Sequence, residues 1–413
     1  MSNNKEYLFK FLTALSVVGL LVGFWGVFEI MMYGKNATAL GSYVTWGLWV
    51  AVYLFFLGLT AGAFLITILT YVFRVRIFAP VGPLSAFTVL VALTCEVITI
   101  SFDLGHMFRT YRFLLTPSFT SMITWMVVFT NAMLLIYVLE CYFLLRGNLV
   151  LWSKEPNRPG QSIYRFLTFG KKDYSDADRE VDHRRVHTIS LISLPVGLIF
   201  YGVNGAIFAI LLNRPLWNGA LTPLIFIVTA LLSGGALITF LTYVFRIDDK
   251  LVHYLGHVIR FLLAVFLLLE GFQFFVGYMT GVVAEITSLN IIAFGPYWWV
   301  FWVFHVFLGS FIPLYLLVRH QASPGAVAWA CFLIVITFIA VRLNAVIPDQ
   351  AVYKLEGLEA TFYHARLRTA EYFPNLTEWL VSIWVFSLGM LAFLLGSRWL
   401  PLIVAGKGEA EHV

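Results

Sequence analysis

At 413 residues, 60% hydrophobic and only 12% charged, with a mean hydropathy of +0.86, the chain is built for lipid, because an ordinary soluble domain carries about 25% charged residues. The formal net charge of +5 does not mark a nucleic-acid binder, since the basic residues lie between apolar runs and form no patch. Cys95, Cys141 and Cys331 all fall inside apolar segments without a CxxC pair, which argues against disulfides, a metal site or an iron–sulfur cluster in this chain.

The opening MSNNKEYLFK and the apolar run from Phe11 to Met32 resemble a signal peptide, with Ala37-Thr38-Ala39 as a cleavage-like triplet. The run is longer than a secretory core of about 7 to 15 residues, so it reads as a retained first span. Ten stretches reach the about 20 helical residues that a hydrocarbon core requires. They are 9–33, 43–74, 83–107, 119–146, 186–211, 219–245, 252–281, 295–318, 323–346 and 377–402. Backbone groups in lipid must be satisfied within the segment, so these are helices and the chain is an all-α, single membrane domain, 1–413.

Lys and Arg collect on one side, above all in the loop 147–185 with Lys154, Arg165, Lys171, Arg179, Arg184 and Arg185. That asymmetry places both termini in the cytoplasm. The loop contains Pro156, Pro159 and Gly160 and shows no apolar periodicity, which reads as a solvated cytoplasmic linker. On the periplasmic side, the segment 347–376 is long, mixed in charge and aromatic, and suits contact with an extrinsic protein. The sequons at Asn36 and Asn375 fall on that side too, the second equally explained by helix capping at Thr377.

Residues 62–74, GAFLITILTYVFR, match 234–246, GGALITFLTYVFR. An offset one residue longer carries Trp125 onto Trp298 and Arg146 onto Arg319, and brings Glu96 within two residues of Glu270. Spans 2 to 5 (43–211) and 6 to 9 (219–346) therefore read as two copies of one four-helix bundle in parallel orientation, flanked by spans 1 and 10.

Ionisable side chains cost about 2.5 to 3.5 kcal/mol each inside a bilayer on insertion scales and mark pathways or partners. Glu29, Glu96, Asp103, Glu140, Arg260, Glu270 and His305 qualify by depth. Glu96, Glu140, Glu270 and His305 read as a proton path, although Glu140 and Arg260 lie at similar depth and equally read as a neutralising pair. At the outer ends of three spans, Glu29, then Trp46 and Trp49 in TWGLWVA, then Asp103 and His106 in FDLGH converge. A carboxylate beside an imidazole at an apolar mouth suits a hydrophobic molecule whose redox head exchanges protons. Helix-end solvation explains the same residues as structure.

TWGLWVA followed by GLTAGAF, FDLGH closing span 3 and YFPNLTEW entering span 10 resemble the NrfD/PsrC family of quinone-interacting membrane subunits. The paired bundles look like its ten-helix branch, which contains HybB, DsrP, QrcD and ActC. The stretch RLNAVIPDQAVYKLEGLEATFYHARLRTAEYFP is most similar to DsrP-like members. The resemblance implies a subunit of an oxidoreductase complex in the bacterial or archaeal inner membrane, without haem or iron–sulfur cluster of its own. It would exchange electrons between quinone or menaquinone and a periplasmic ferredoxin-like iron–sulfur subunit, linked to further catalytic or multihaem cytochrome subunits. By motif, Asp103 matches the acid of the quinone pocket, and Trp46, Gly47 and Trp49 match the opening of span 2. His106 stands where some members carry Arg, and Glu29 has positional support alone. The alternatives are a secondary transporter built on the repeat, against which spans 2 and 6 read as unbroken, and a b-type cytochrome anchor using His187, His253, His257 or His320.

Overall fold

The computed structural model describes residues 3–105, 107–155, 160–171, 173–219, 221–353 and 370–403. Among the described residues, ten helices are long and apolar enough to cross a membrane. They are α1 (Asn3–Tyr33), α2 (Leu48–Tyr71), α3 (Gly82–Asp103), α4 (Met122–Lys154) and α5 (Asp176–Ala209). There follow α6 (Thr222–Val244), α7 (Asp249–Met279), α8 (Val300–Arg319), α9 (Pro324–Val346) and α10 (Leu376–Trp399). The chain is a multi-pass integral membrane protein, and α2 and α6 run unbroken.

Three local results differ from the sequence reading. The described part of the basic segment 147–185 is largely helical, because α4 continues to Lys154, a short helix forms at Gln161–Leu167 and α5 starts at Asp176. A capping box explains that early start: Ser175 accepts from the Asp178 amide and Asp178 accepts from the Ser175 amide, which satisfies two orphan donors at once. The loop before span 8 contains a helix, Val283–Phe294. Finally, α8 opens with a π-wound stretch, Val300–Phe311, in which the Ile312 amide bonds the Phe307 carbonyl five residues back. Such winding is rare and usually limited to one turn.

Helix packing follows the same cyclic order in both halves. In the first, α2 packs on α3, α3 on α4, α4 on α5 and α5 back on α2; in the second, α6 to α9 close a ring in the same sequence. The rings meet along α2 and α6. There a Cβ on Gly62 would stand 2.3 Å from the Gly234 carbonyl carbon, and one on Gly234 would stand 2.5 Å from the Gly62 nitrogen. Gly62 and Gly234 are also the paired positions of the sequence match. Reciprocal contact between equivalent residues is what an axis passing between them produces, and the geometry is consistent with the parallel repeat. Arg74 and Arg246, which end the matched stretches, share a left-handed φ of 53° and 54°.

Outside the rings, α10 packs on α3 and α2, and α1 lies along α10. Gly19, Gly23 and Gly26 form the contact stripe of α1; a Cβ on Gly23 would come within 2.6 Å of the Leu380 carbonyl oxygen. Small residues let backbones approach where no hydrophobic force favours helix over lipid.

Candidate functional site

The end of the molecule at which α1, α3 and α9 finish and α2 and α10 begin is tied by polar contacts between distant segments, and is called here the Asp103 face. Gly47 is the N-cap of α2. It leaves room for Tyr372, whose hydroxyl would lie 2.2 Å from a Cβ there. That hydroxyl accepts from the Leu48 amide at 2.8 Å and donates to Glu378 Oε1 at 2.5 Å. The other oxygen of Glu378 accepts from the Ala39 amide at 3.0 Å and the Asn375 amide at 3.1 Å. Glu378 is thus a buried carboxylate with both oxygens occupied, which is how such a charge is tolerated. Burial, and then the Glu378 carboxylate beside it, push the Tyr372 phenol well above its ordinary range, so it stays a proton donor in the network.

Four of the residues read from the sequence gather around this knot. Trp49 is buried and donates its indole N–H to the Glu378 carbonyl at 3.1 Å, with Phe102 against its ring. Gly47 makes the contact just described. Asp103, 8% exposed, faces Lys35, whose Nζ lies 3.5 Å from Oδ1. Glu29 accepts from the Thr377 hydroxyl and, at 2.9 Å, from the Trp25 indole. Thr377 is therefore not the cap of α10; Asn375 is, in a capping box with Glu378.

Trp46 turns elsewhere. Its ring stacks on Trp217 at 5.5 Å and meets Phe208 edge-on, while Gln350 accepts from its amide and donates to its carbonyl. His106 lies outside the described residues, as do 354–369 of the stretch compared with DsrP-like members.

The four acids and bases read as a proton path separate into two groups. In the first ring Glu96 and Glu140 are fully buried, and neither carboxyl has a hydrogen-bond partner at normal geometry among the described residues, although Ser190 stands beside Glu140. Hydroxyls line the same ring: Tyr137 pairs with Thr67 at 2.7 Å and Tyr201 with Thr60 at 3.0 Å, and Tyr53 donates to the Asn204 amide oxygen. In the second ring His305 Nε2 lies 3.2 Å from Glu270 Oε2. Arg260 does not neutralise Glu140; it donates to Gln321 at 2.5 Å and lies 3.1 Å from His257 Nδ1.

Sequence reasoning missed Lys35, Tyr372, Glu378 and Arg342. The signal for Glu378 was present as the Asn375-x-x-Glu378 spacing of a capping box. Arg342, 3% exposed, lies over Phe338 at 4.8 Å and Phe226 at 5.3 Å, near Gly58 of the opposite ring. No carboxylate within ion-pair distance of it is found among the described residues.

The three cysteines are buried and unpaired, and the described residues contain no cluster of His, Cys, Asp or Glu able to hold a metal ion. His187 and His253 each bond a backbone carbonyl through Nδ1, that of Tyr71 and that of Gln321.

Comparison with known proteins adds the relatives. A family model described as polysulphide reductase, NrfD, matches residues 36–354. A selenate reductase subunit of Mesobacillus selenatarsenatis is 28% identical over 417 residues, covering 99% of this chain and 96% of that protein. The Hdr-like menaquinol oxidoreductase integral membrane subunit of Archaeoglobus fulgidus is 23% identical over 393 residues, covering 91% and 89%.

Proposed function

Because the chain belongs to the NrfD polysulphide reductase family, we propose that it is the membrane subunit of a respiratory complex that exchanges electrons between the quinone pool and an iron–sulfur subunit docked on the Asp103 face. The names of its relatives support a place in a reductase or oxidoreductase complex, and that of the archaeal relative supports menaquinol as the lipid-soluble partner.

The observation that carries the reading is the Asp103–Lys35 pair. A carboxylate almost removed from water, with one cation 3.5 Å away and its chain neighbour Phe102 against the Trp49 ring, is a proton-exchanging group at the edge of an apolar interior. Quinol oxidation releases two protons and two electrons. On this reading Asp103 takes up one ring proton, the other passes to solvent at the mouth of the site, and the two electrons leave to the iron–sulfur partner. Trp49 and Gly47 shape the wall, Glu29 stiffens the junction of α1 with α10, and His106 adjoins Asp103 in sequence.

Glu140 and Glu96, with the tyrosine and threonine hydroxyls of the first ring, supply a proton route towards the Asp103 face, and Glu270 with His305 supplies a second. The charge asymmetry of the loops supports cytoplasmic termini, so that the iron–sulfur partner sits on the periplasmic side of the inner membrane.

The test is to purify the complex through this chain and determine its subunits and metal content. An iron–sulfur protein should co-purify, with clusters reduced by a short-chain naphthoquinol or reoxidised by the quinone. Purification without any redox partner, together with substrate uptake by proteoliposomes holding this chain alone, would replace the reading with that of a transporter.

A further inference from the structure

A cavity of about 660 Å³ lies between the start of α8, the end of α9 and the segment leading into α10, with Tyr372 of the Glu378 knot in its wall. Aliphatic side chains and aromatic rings make up its wall, the rings including Trp299, Phe304, Trp379 and the stacked pair Tyr297 and Phe373. Asn344 borders both this cavity and a smaller one of about 70 Å³, which contains Glu270 and Gln273. Apolar walls of this volume with few polar groups are the mark of a small-molecule site.

Behind Asn344 the hydrogen-bonding capacity is constrained in sequence. His305 is 2% exposed and lies flat on Phe266, with ring planes 7° apart. Its Nε2 lies 3.2 Å from a Glu270 carboxylate oxygen without the alignment of a hydrogen bond, and that acceptor beside it favours the ring proton on Nε2. Nδ1 then has a lone pair to offer, and the amide nitrogen of Asn344 lies 3.5 Å from it. A neutral imidazole has one donor and one acceptor, and an amide has both at opposite corners. With its N–H₂ turned to His305, Asn344 presents its oxygen, an acceptor, as its remaining polar corner. His305 belongs to the π-wound stretch of α8 that also carries Phe304, and π turns occur disproportionately at functional sites.

We propose that this cavity is a second quinone-ring site that selects the reduced form, with Asn344 Oδ1 accepting a hydrogen bond from a ring hydroxyl and the His305–Glu270 pair fixing the orientation of the amide. A quinol has that hydroxyl, whereas the oxidised ring offers only carbonyl acceptors, which would face another acceptor. His305 and Glu270 are positioning residues here, and no electron transfer is assigned to the site. The proposal rests on the reading that the chain binds quinone, but its hydrogen-bonding groups, Asn344, His305 and Glu270, are none of those placed around Asp103.

The test is a fluorescence-quenching titration of the full chain in lipid nanodiscs with a hydroxyquinoline N-oxide, a hydroxyl-bearing analogue of the quinol ring. Two classes of site are expected. Asn344→Leu and the cavity-filling Ala340→Trp should each weaken or remove one class and leave the other, Asn344→Leu by about tenfold, the value of one hydrogen bond near the upper end of its usual range. Asp103→Asn should act only on the other class. His305→Phe, which keeps a ring on Phe266 but frees the amide to turn, should retain binding and lose the preference for a reduced over an oxidised short-chain naphthoquinone in competition. A single class, altered by Asp103→Asn and indifferent to Asn344→Leu, would overturn the second site and leave the reading at Asp103 standing. A single class lost in Asn344→Leu and indifferent to Asp103→Asn would do the reverse. A phospholipid retained in the cavity and not displaced by the analogue would also overturn it.

Discussion

Lys35 Nζ and Asp103 Oδ1 stand 3.5 Å apart, joining the turn after α1 to the last residue of α3. The ammonium is half in water while the carboxylate is almost wholly removed from it, so the pair lies across the boundary between lipid depth and solvent. If that carboxylate exchanges protons with the quinone head, Asp103→Asn should lower quinol turnover by about a hundredfold or more, the usual weight of a lost general acid or base. Assembly of the complex should be unchanged on gel filtration. Turnover within a factor of two of the unmodified complex would sink the assignment.

Tyr372 makes a different kind of contribution. Removing its hydroxyl leaves the Leu48 amide and one oxygen of Glu378 without their partner, and unsatisfied buried groups cost about 1 to 3 kcal/mol. Tyr372→Phe should therefore lower the thermal unfolding temperature in nanodiscs. The pH dependence follows from the raised phenol. Its folded value lies above the unfolded value of about 10, so its contribution is fully present below pH about 10 and is lost as pH rises above that. The unmodified chain should lose stability above pH about 10, and Tyr372→Phe should lose less over the same interval; parallel curves would contradict this.

The two carboxyl groups at mid-membrane are expected to separate by experiment. Glu96 has no hydrogen-bond partner among the described residues, whereas Glu270 has the His305 imidazole 3.2 Å from its carboxylate. In vesicles turning over quinol, Glu96→Gln should abolish any redox-driven pH change that runs through the first ring, while electron transfer to the iron–sulfur partner continues. Glu270→Gln tests the second ring in the same assay. A pH signal untouched by both substitutions would remove proton conduction from the description.

Arg342 is a buried cation held by two phenyl rings. Cation–π contacts contribute about 2 kcal/mol when desolvated, less than the several kcal/mol that burying a charge costs. Arg342→Met, similar in length and uncharged, should raise the unfolding temperature, and Arg342→Ala, which leaves a cavity, should raise it less or lower it. Circular dichroism melts of the two variants side by side would decide, and a large loss with Met would point to a partner for the guanidinium.

Much of this architecture was legible because lipid imposes a hard rule: a span needs about 20 apolar helical residues, and the ten runs announce themselves. The extensions of α4 and α5 were not, since those turns lie beyond the apolar run and carry no amphipathic stripe; the Ser175–Asp178 capping box was their one local sign. At the site, depth alone identified Asp103, Glu29, Glu96 and Glu270. Partnership was invisible, because Lys35 reaches Asp103 and Glu378 reaches Ala39 through tertiary packing that no spacing encodes. Trp46 shows the same limit: three residues from Trp49 in sequence, it leaves the chain towards Trp217 instead of the Glu378 knot.

Gly62 and Gly234 bring the backbones of α2 and α6 together with no room for a side chain on either. Gly62→Val should push the rings apart and cost more than about 3 kcal/mol, since the displaced atoms are main chain and cannot step aside as a side chain would. A stable, correctly assembled Gly62→Val protein would show that the contact is looser than it looks.

That contact also bears on mechanics. A machine that works by rocking one half against the other needs a seam across which side chains can slide and exchange neighbours. Here the seam is keyed, main chain against main chain, at the pivot itself, and any tilt must shear or open it. A scaffold of this kind suits cargo small enough to pass without parting the halves, and protons hopping between hydroxyls, carboxyls and water meet that condition where a solute with its own volume does not.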